Sequence, residues 1–200
     1  MKKLVGMLLI VFVLGLCSNV LALDLAGKFG FTGKGGIGIP MGGLADEKKW
    51  HADVGFGFGV SGEYFLTNQI GLGAYFGYNR FGRKDVEGVF YQLVSFGASG
   101  KYIVPTNSNI CPYLKVAAGP YQVMVTQPSG FFSETWAFDM KFGFAVGGGV
   151  MFKASESVVI NAEGMFQNTL VKEAERETPL GGDLQYMQLS AGITFLIGGK

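Results

Sequence analysis

The stretch Asp53-Val-Gly-Phe-Gly-Phe-Gly-Val-Ser-Gly-Glu-Tyr-Phe-Leu66 changes character at every residue. Val54, Phe56, Phe58, Val60 and Tyr64 share one parity, and Gly55, Gly57, Gly59, Ser61 and Glu63 share the other. Side chains of a β-strand point to opposite faces with a period of two. A helical period would scatter these residues around the axis. The segment is therefore a strand with one apolar, aromatic face and one small, polar face.

The same pattern recurs through the chain. Leu25, Phe29 and Phe31 alternate with Ala26, Lys28, Gly30 and Thr32. Ile70 to Asn79, Phe90 to Tyr102, Tyr113 to Gly119, Asp139 to Phe152, Val158 to Gln167 and Tyr186 to Ile197 repeat it. That makes eight strands. Their connections alternate in length: Thr67–Gln69, Pro105–Asn109 and Ala154–Ser157 are short. Pro40–His51, Gly82–Gly88, Gln127–Thr135 and Asn168–Asp183 are mostly longer and more charged. Short turns at one end and long loops at the other are the plan of an outer-membrane barrel. The fold class expected is all-β: an eight-stranded antiparallel transmembrane up-and-down β-barrel. Closure is needed because lipid leaves no partner for an open strand edge.

The parity also sorts the charges. Lys28, Glu63, Lys101, Lys115, Asp139, Lys141 and Glu163 all oppose the apolar face. An Arg or Lys facing lipid at mid-bilayer costs roughly 2–4 kcal/mol. These seven are therefore expected to face the lumen as a charge network, structural or gating. Glu163 is expected to pair with Lys115 or Lys141. An eight-stranded barrel has an interior that side chains fill, so a packed polar core is expected, with inward glycines making room for Lys and Tyr. Tyr64, Phe65, Tyr102, Tyr113 and Phe152 fall beside the short turns, and Tyr78, Phe90, Trp136 and Phe166 beside the long loops. Two such groups suit aromatic girdles at the two interfaces. Pro120 lies inside the fifth strand and removes a ladder hydrogen bond, so it is expected near the outer rim or at a bulge.

Residues 1–22 read as a signal peptide, leaving 23–200 as the barrel domain. Lys2 and Lys3 precede an apolar run from Leu4 to Leu16, and Val20-Leu21-Ala22 suits a signal peptidase. Cys17 raises lipidation, but Leu16 before it is larger than that signal wants. Loss of Lys2 and Lys3 leaves fourteen basic residues against fifteen acidic ones. So even a balance gives no reason to expect nucleic acid. With 33 Gly, 18 Phe and only 6 Pro in 200 residues, the composition is neither collagen-like nor that of ordinary disorder. After residue 22 no apolar run reaches the ~20 residues a spanning helix requires.

Gly33-Lys-Gly-Gly-Ile-Gly38 matches the dinucleotide pattern G-x-G-x-x-G, but Ile39-Pro40-Met41 follows where a helix must start. His51 is the only histidine; with Asp53 nearby, and Ser129 or Ser133 from another loop, it is the one base available to a lipid-modifying enzyme. One His and one Cys after residue 22, Cys111, offer no metal-ligand spacing and no intrachain disulfide. No catalytic residue, metal or cofactor is expected. Leu170 to Glu177 is rich in helix formers and reads as a short solvated helix.

Cys111-Pro-Tyr-Leu-Lys-Val-Ala-Ala-Gly-Pro-Tyr121 resembles the P-Y-x-x-x-x-x-G-x-Y strand of small outer-membrane β-barrel proteins. Phe142-Gly-Phe-Ala-Val-Gly-Gly-Gly-Val-Met-Phe152 is similar to their G-x-x-x-G-x-G strand. The Val158–Phe166 strand with Glu163, and Leu189–Phe195, follow in the family's order. The resemblance, to the opacity proteins and the OmpA membrane domain, implies a monomeric outer-membrane protein in contact with membrane lipids, lipopolysaccharide and the assembly machinery. It implies a part in envelope integrity, adhesion or host contact. Family chains commonly end on an aromatic residue, whereas this one continues past Phe195 as Leu-Ile-Gly-Gly-Lys200. Beside a structural or surface-interaction role stand a narrow channel gated by inward Lys and Glu, a lipid-modifying enzyme using His51, and a soluble barrel binding an apolar ligand. The last requires apolar residues inside.

Overall fold

Alternation of apolar and small residues becomes alternation of exposure. The computed structural model describes residues 24–106, 108–129, 132–170 and 184–198. The signal peptide assigned to residues 1–22, and residues 171–177 of the expected loop helix, lie outside the described residues. The strands are β1 (Lys28–Met41), β2 (Gly55–Phe65), β3 (Ile70–Gly82), β4 (Phe90–Ile103), β5 (Ile110–Ser129), β6 (Phe132–Ala137), β7 (Lys141–Lys153), β8 (Val158–Thr169) and β9 (Leu184–Gly198). A single helical turn, α1 (Gly42–Ala45), follows β1.

Neighbouring strands pair antiparallel around a ring, β6 and β7 both against β5, and β9 returns to pair with β1 from Lys28↔Gly198 to Met41↔Gln185. β6 and β7 together form one stave. Met124 faces Ala137 and Tyr121 faces Lys141, so three steps along β5 match four along its partner. The extra residue is a bulge between Phe138, whose N–H donates to the Val123 carbonyl at 2.8 Å, and Lys141. The barrel therefore closes on eight staves. Gln127–Thr135, read as a loop, is largely the end of this hairpin. Likewise β1 runs through the glycine-rich segment to Met41, beyond the boundary expected at Pro40.

The outward parity is the apolar one all round. Phe56 on β2 is 55% exposed and Val116 on β5 is 57% exposed, whereas their neighbours Gly57 and Ala117 are buried. Staves of eleven residues or more meet the ~9–11 that cross a bilayer when tilted. Tyr64, Tyr102 and Phe152 lie exposed beside the short turns as the girdle reading expects, but Phe65 and Tyr113 are buried and face inward. Leu25 is also corrected. It precedes β1, is buried inside the barrel, and its N–H and that of Ala26 each donate to Asn68 Oδ1 at 2.8 Å. At the opposite end Arg80 lies over the Phe90 ring, 3.7 Å from its centroid. The chain beyond Phe195 continues the last strand: Leu196 turns inward and Ile197 outward.

Pro120 lies nine residues before the end of β5, inside the strand and one residue short of Tyr121, opposite which the bulge begins. The β4–β5 register is Ser95↔Tyr121 on one side and Ala98↔Ala118 on the other, without a shift. Between them Gly97 and Gly119 come close across the strands. A Cβ on Gly119 would lie 2.0 Å from the Phe96 carbonyl oxygen. Gly119→Val is expected to lower stability by about 1–3 kcal/mol, the usual cost of overpacking, read from the urea midpoint of the refolded protein. At the short-turn end the Lys153 ammonium hydrogen-bonds Glu156 at 2.8 Å and holds its carboxyl below the ordinary range.

Candidate functional site in the lumen

Inward residues of five staves meet in a charged layer. Lys101 of β4 and Lys115 of β5 are directly opposed in register, and like charges so placed repel. Glu63 of β2 resolves the conflict. Its two oxygens accept from Lys101 Nζ at 2.5 Å and Lys115 Nζ at 2.8 Å. β3 stands between β2 and β4, so the contact must cross a stave. It does so over Gly73: a Cβ there would lie 2.9 Å from Glu63 Cγ. Glu63, Lys101 and Lys115 are all buried.

A second carboxylate completes the layer. Glu163 of β8 accepts from Lys34 of β1 and from the Tyr113 hydroxyl, the latter at 3.0 Å. Its partner is thus Lys34, not Lys115 or Lys141. The Lys101 ammonium lies 4.8 Å from the Tyr113 ring centroid and links the two halves. Lys34 sits in the glycine run read as a strand end. Its inward parity, shared with Lys28 and Thr32, was the available signal. Space for its stem comes from Gly192, where a Cβ would approach Lys34 Cβ to 2.8 Å.

Of the seven charges expected inside, Glu63, Lys101, Lys115 and Glu163 come together. Lys28 is half-buried at the start of β1, and Lys141 is half-buried at the start of β7. Asp139 is exposed between β6 and β7. These three are not part of the layer.

Neutral polar groups surround it. The Thr32 and Thr194 hydroxyls are 2.6 Å apart, and Asn161 Nδ2 donates to Thr194 at 2.7 Å. Toward the loops, Gln167 accepts from the Tyr186 hydroxyl at 2.7 Å and donates to Gln188 at 2.5 Å. Asn79 Nδ2 donates to Tyr186 at 3.0 Å.

The core is packed as expected, but both ends of the lumen are apolar where a polar core is expected. Leu25, Phe65, Ile103, Met151, Val159 and Leu196 fill the short-turn end. Leu44, Trp50, Phe81, Tyr91, Leu93 and Val125 fill the loop end. There the Trp50 and Tyr91 rings meet edge to face at 5.1 Å, and Phe81 and Tyr186 at 5.3 Å. The signal lay in the inward parity of Phe65, Tyr91 and Leu93, where alternation continues but polarity does not.

The enzymatic candidates fall apart spatially from this layer. His51 has a left-handed backbone, φ 46°, and its Nδ1 hydrogen-bonds Asp85. Lys84 N–H donates to the His51 carbonyl at 3.0 Å, so His51 ties the first long loop to the second. Ser129 and Ser133 lie in β5 and β6. Gly33–Gly38 is part of β1, and no helix opens on it. Among the described residues no group of three His, Cys, Asp or Glu is placed to share a metal ion.

No protein-family model and no curated protein sequence matches the chain. Solved structures do. Neisserial surface protein A is 19% identical, with 85% of this chain and 97% of that one covered and a TM-score of 0.62. Ail, the attachment invasion locus protein of Yersinia pestis, is 17% identical over 86% and 99%, with a TM-score of 0.55. The N-terminal β-barrel domain of Pseudomonas aeruginosa OprF is 16% identical over 86% and 98%, with a TM-score of 0.51. At these identities the likeness is one of fold.

Proposed function

We propose that this chain, which has the fold of the small eight-stranded outer-membrane β-barrels, is exported to the bacterial outer membrane and acts there as a monomeric, non-conducting scaffold. Its role is structural or surface-interacting, in envelope integrity or adhesion, and its loops carry the contacts. One observation carries this reading: the lumen is occupied at every level, by an apolar cluster, an ion-paired layer, an amide and hydroxyl tier and a second apolar cluster. Ions entering such a lumen would have to cross two dry layers, and burying a charge without partners is costly.

The apolar belt supports contact with outer-membrane lipids. Arg80, on the outward parity of β3 beside Phe90, suits the phosphates of lipopolysaccharide at the loop-side interface. The outward Phe195 and Ile197 on the last strand are the residues offered to the assembly machinery. In this reading His51 serves as a tie between the first two long loops.

The test has two parts. Membrane fractionation with heat-modifiable gel migration is expected to place the folded protein in the outer-membrane fraction. Planar-bilayer recording of the purified protein is expected to show no unitary conductance steps. Steps that Glu163→Ala abolishes would establish the gated channel instead, and recovery in the soluble periplasm would reject the membrane reading.

A further inference from the structure

At the loop ends of β1, β2 and β7 the outward residues Met41, Phe56 and Phe142 are apolar and exposed. On β3, β4, β5 and β6 a polar row interrupts that face. The Tyr78 hydroxyl donates to Gln92 Oε1 at 3.0 Å, Gln92 Nε2 donates to the Thr126 hydroxyl at 2.8 Å, and the Thr126 and Thr135 hydroxyls are 2.9 Å apart. Arg80 stands directly opposite Gln92. Its guanidinium lies over Phe90, and its Nε has no hydrogen-bond partner among the described residues. Phe90 in turn stands opposite Thr126, so cation, ring and row form one patch. The Tyr78 ring stacks on Phe58 at 5.1 Å, which joins the patch to the apolar belt. Polar groups set against acyl chains without partners are costly, so the patch belongs at the level of the lipid headgroups.

We propose that this patch is a binding site for one phosphorylated glycolipid headgroup, the phosphosugar end of lipopolysaccharide. The inference rests on the outer-membrane reading above and adds to Arg80 the side chains that would read the sugar. A guanidinium presents its N–H groups to phosphate oxygens as a planar fork, and the Phe90 ring holds that plane. After the internal bonds, Gln92 keeps one N–H, the two threonines keep one O–H between them, and the oxygens keep lone pairs. Donors and acceptors so mixed suit sugar hydroxyls, which are both. A glycerophospholipid supplies the phosphate but no sugar ring. Acyl chains of the same molecule would lie against the outward Phe58 and Phe76.

The probes are lipopolysaccharide and its phosphatase-treated form, titrated onto the immobilised full chain in zwitterionic detergent and read by surface plasmon resonance. Arg80→Gln is expected to bind the intact lipid about tenfold more weakly, within the worth of one charge-assisted hydrogen bond, and the dephosphorylated lipid as the parent does. Gln92→Leu is expected to weaken both forms. Lys153→Gln, the same charge loss at the short-turn end, is expected to change neither. Heat-modifiable migration checks that each variant has folded. Unchanged affinity of Arg80→Gln for the intact lipid, an equal loss for both forms, unchanged binding by Gln92→Leu, or phosphatidylglycerol bound as tightly as lipopolysaccharide would each overturn the proposal. Fractionation tests the outer-membrane reading separately, so a protein found in that membrane that fails these titrations refutes the site alone.

Discussion

Glu63→Gln is expected to destabilise the barrel by about 3–5 kcal/mol, the usual cost of removing one partner from a buried ionic group. The substitution keeps the shape and deletes the charge that separates Lys101 from Lys115, two residues opposed across β4 and β5. Both lysines would then face each other with no carboxylate oxygen between them. Equilibrium urea unfolding of the protein refolded into lipid vesicles measures the effect. The reverse experiment sharpens it. Glu63→Leu combined with Lys101→Met and Lys115→Leu removes the whole triad, and well-packed apolar replacements of this kind are neutral or stabilising by about 1–4 kcal/mol. The triple variant is therefore expected to be at least as stable as the parent. A loss below about 1 kcal/mol for Glu63→Gln, in the range of exposed pairs, would mean that water reaches the layer.

Val116→Arg is expected to cost about 2–4 kcal/mol in the same assay, because Val116 faces outward on β5 opposite Val146, near the middle of β7, and an arginine at the bilayer midplane is penalised by that amount. Tyr102→Arg, outward on β4 beside a short turn, is expected to cost about 0–1 kcal/mol, since the penalty fades toward the interface. The contrast between the two positions carries the test. Both residues are exposed in the structure, so a barrel standing in water would tolerate the two changes equally. Equal small effects at both positions would remove the outward face from the hydrocarbon.

The outer surface was legible in the sequence because it depends on one short-range variable, the parity of each residue within its own strand. Phe56, Phe58 and Val60 declare their face without reference to any other segment. The lumen depends on register between strands, which parity does not contain. Parity places Glu63, Lys101 and Lys115 inside, yet nothing local says that Glu63 reaches across β3 or that Gly73 clears its way. Sequence alone points Glu163 to Lys115 or Lys141 for the same reason: its partner Lys34 comes from β1, 129 residues away, and only ring closure brings it near. The apolar caps were missed on other grounds. Phe65 and Tyr113 stand beside short turns, where an aromatic residue suits a membrane interface as well as an interior. The bulge after β6 shifts the pairing by one residue, and that shift appears only when β5 is laid alongside.

The pairing of β9 with β1 sets a schedule for the molecule's assembly. The first stave leaves the ribosome with one long edge unmatched and waits for the last to be made before that edge is occupied. A chain broken off before Leu184 would not be a smaller barrel. It would carry two raw edges, one on β1 and one on β8, where the complete ring has none. Loss of the last stave is therefore expected to act as an all-or-none defect, and the first stave must be kept from pairing with strangers throughout transit. Edge pairing is thus a hazard of the unfinished chain, and the finished wall ends it.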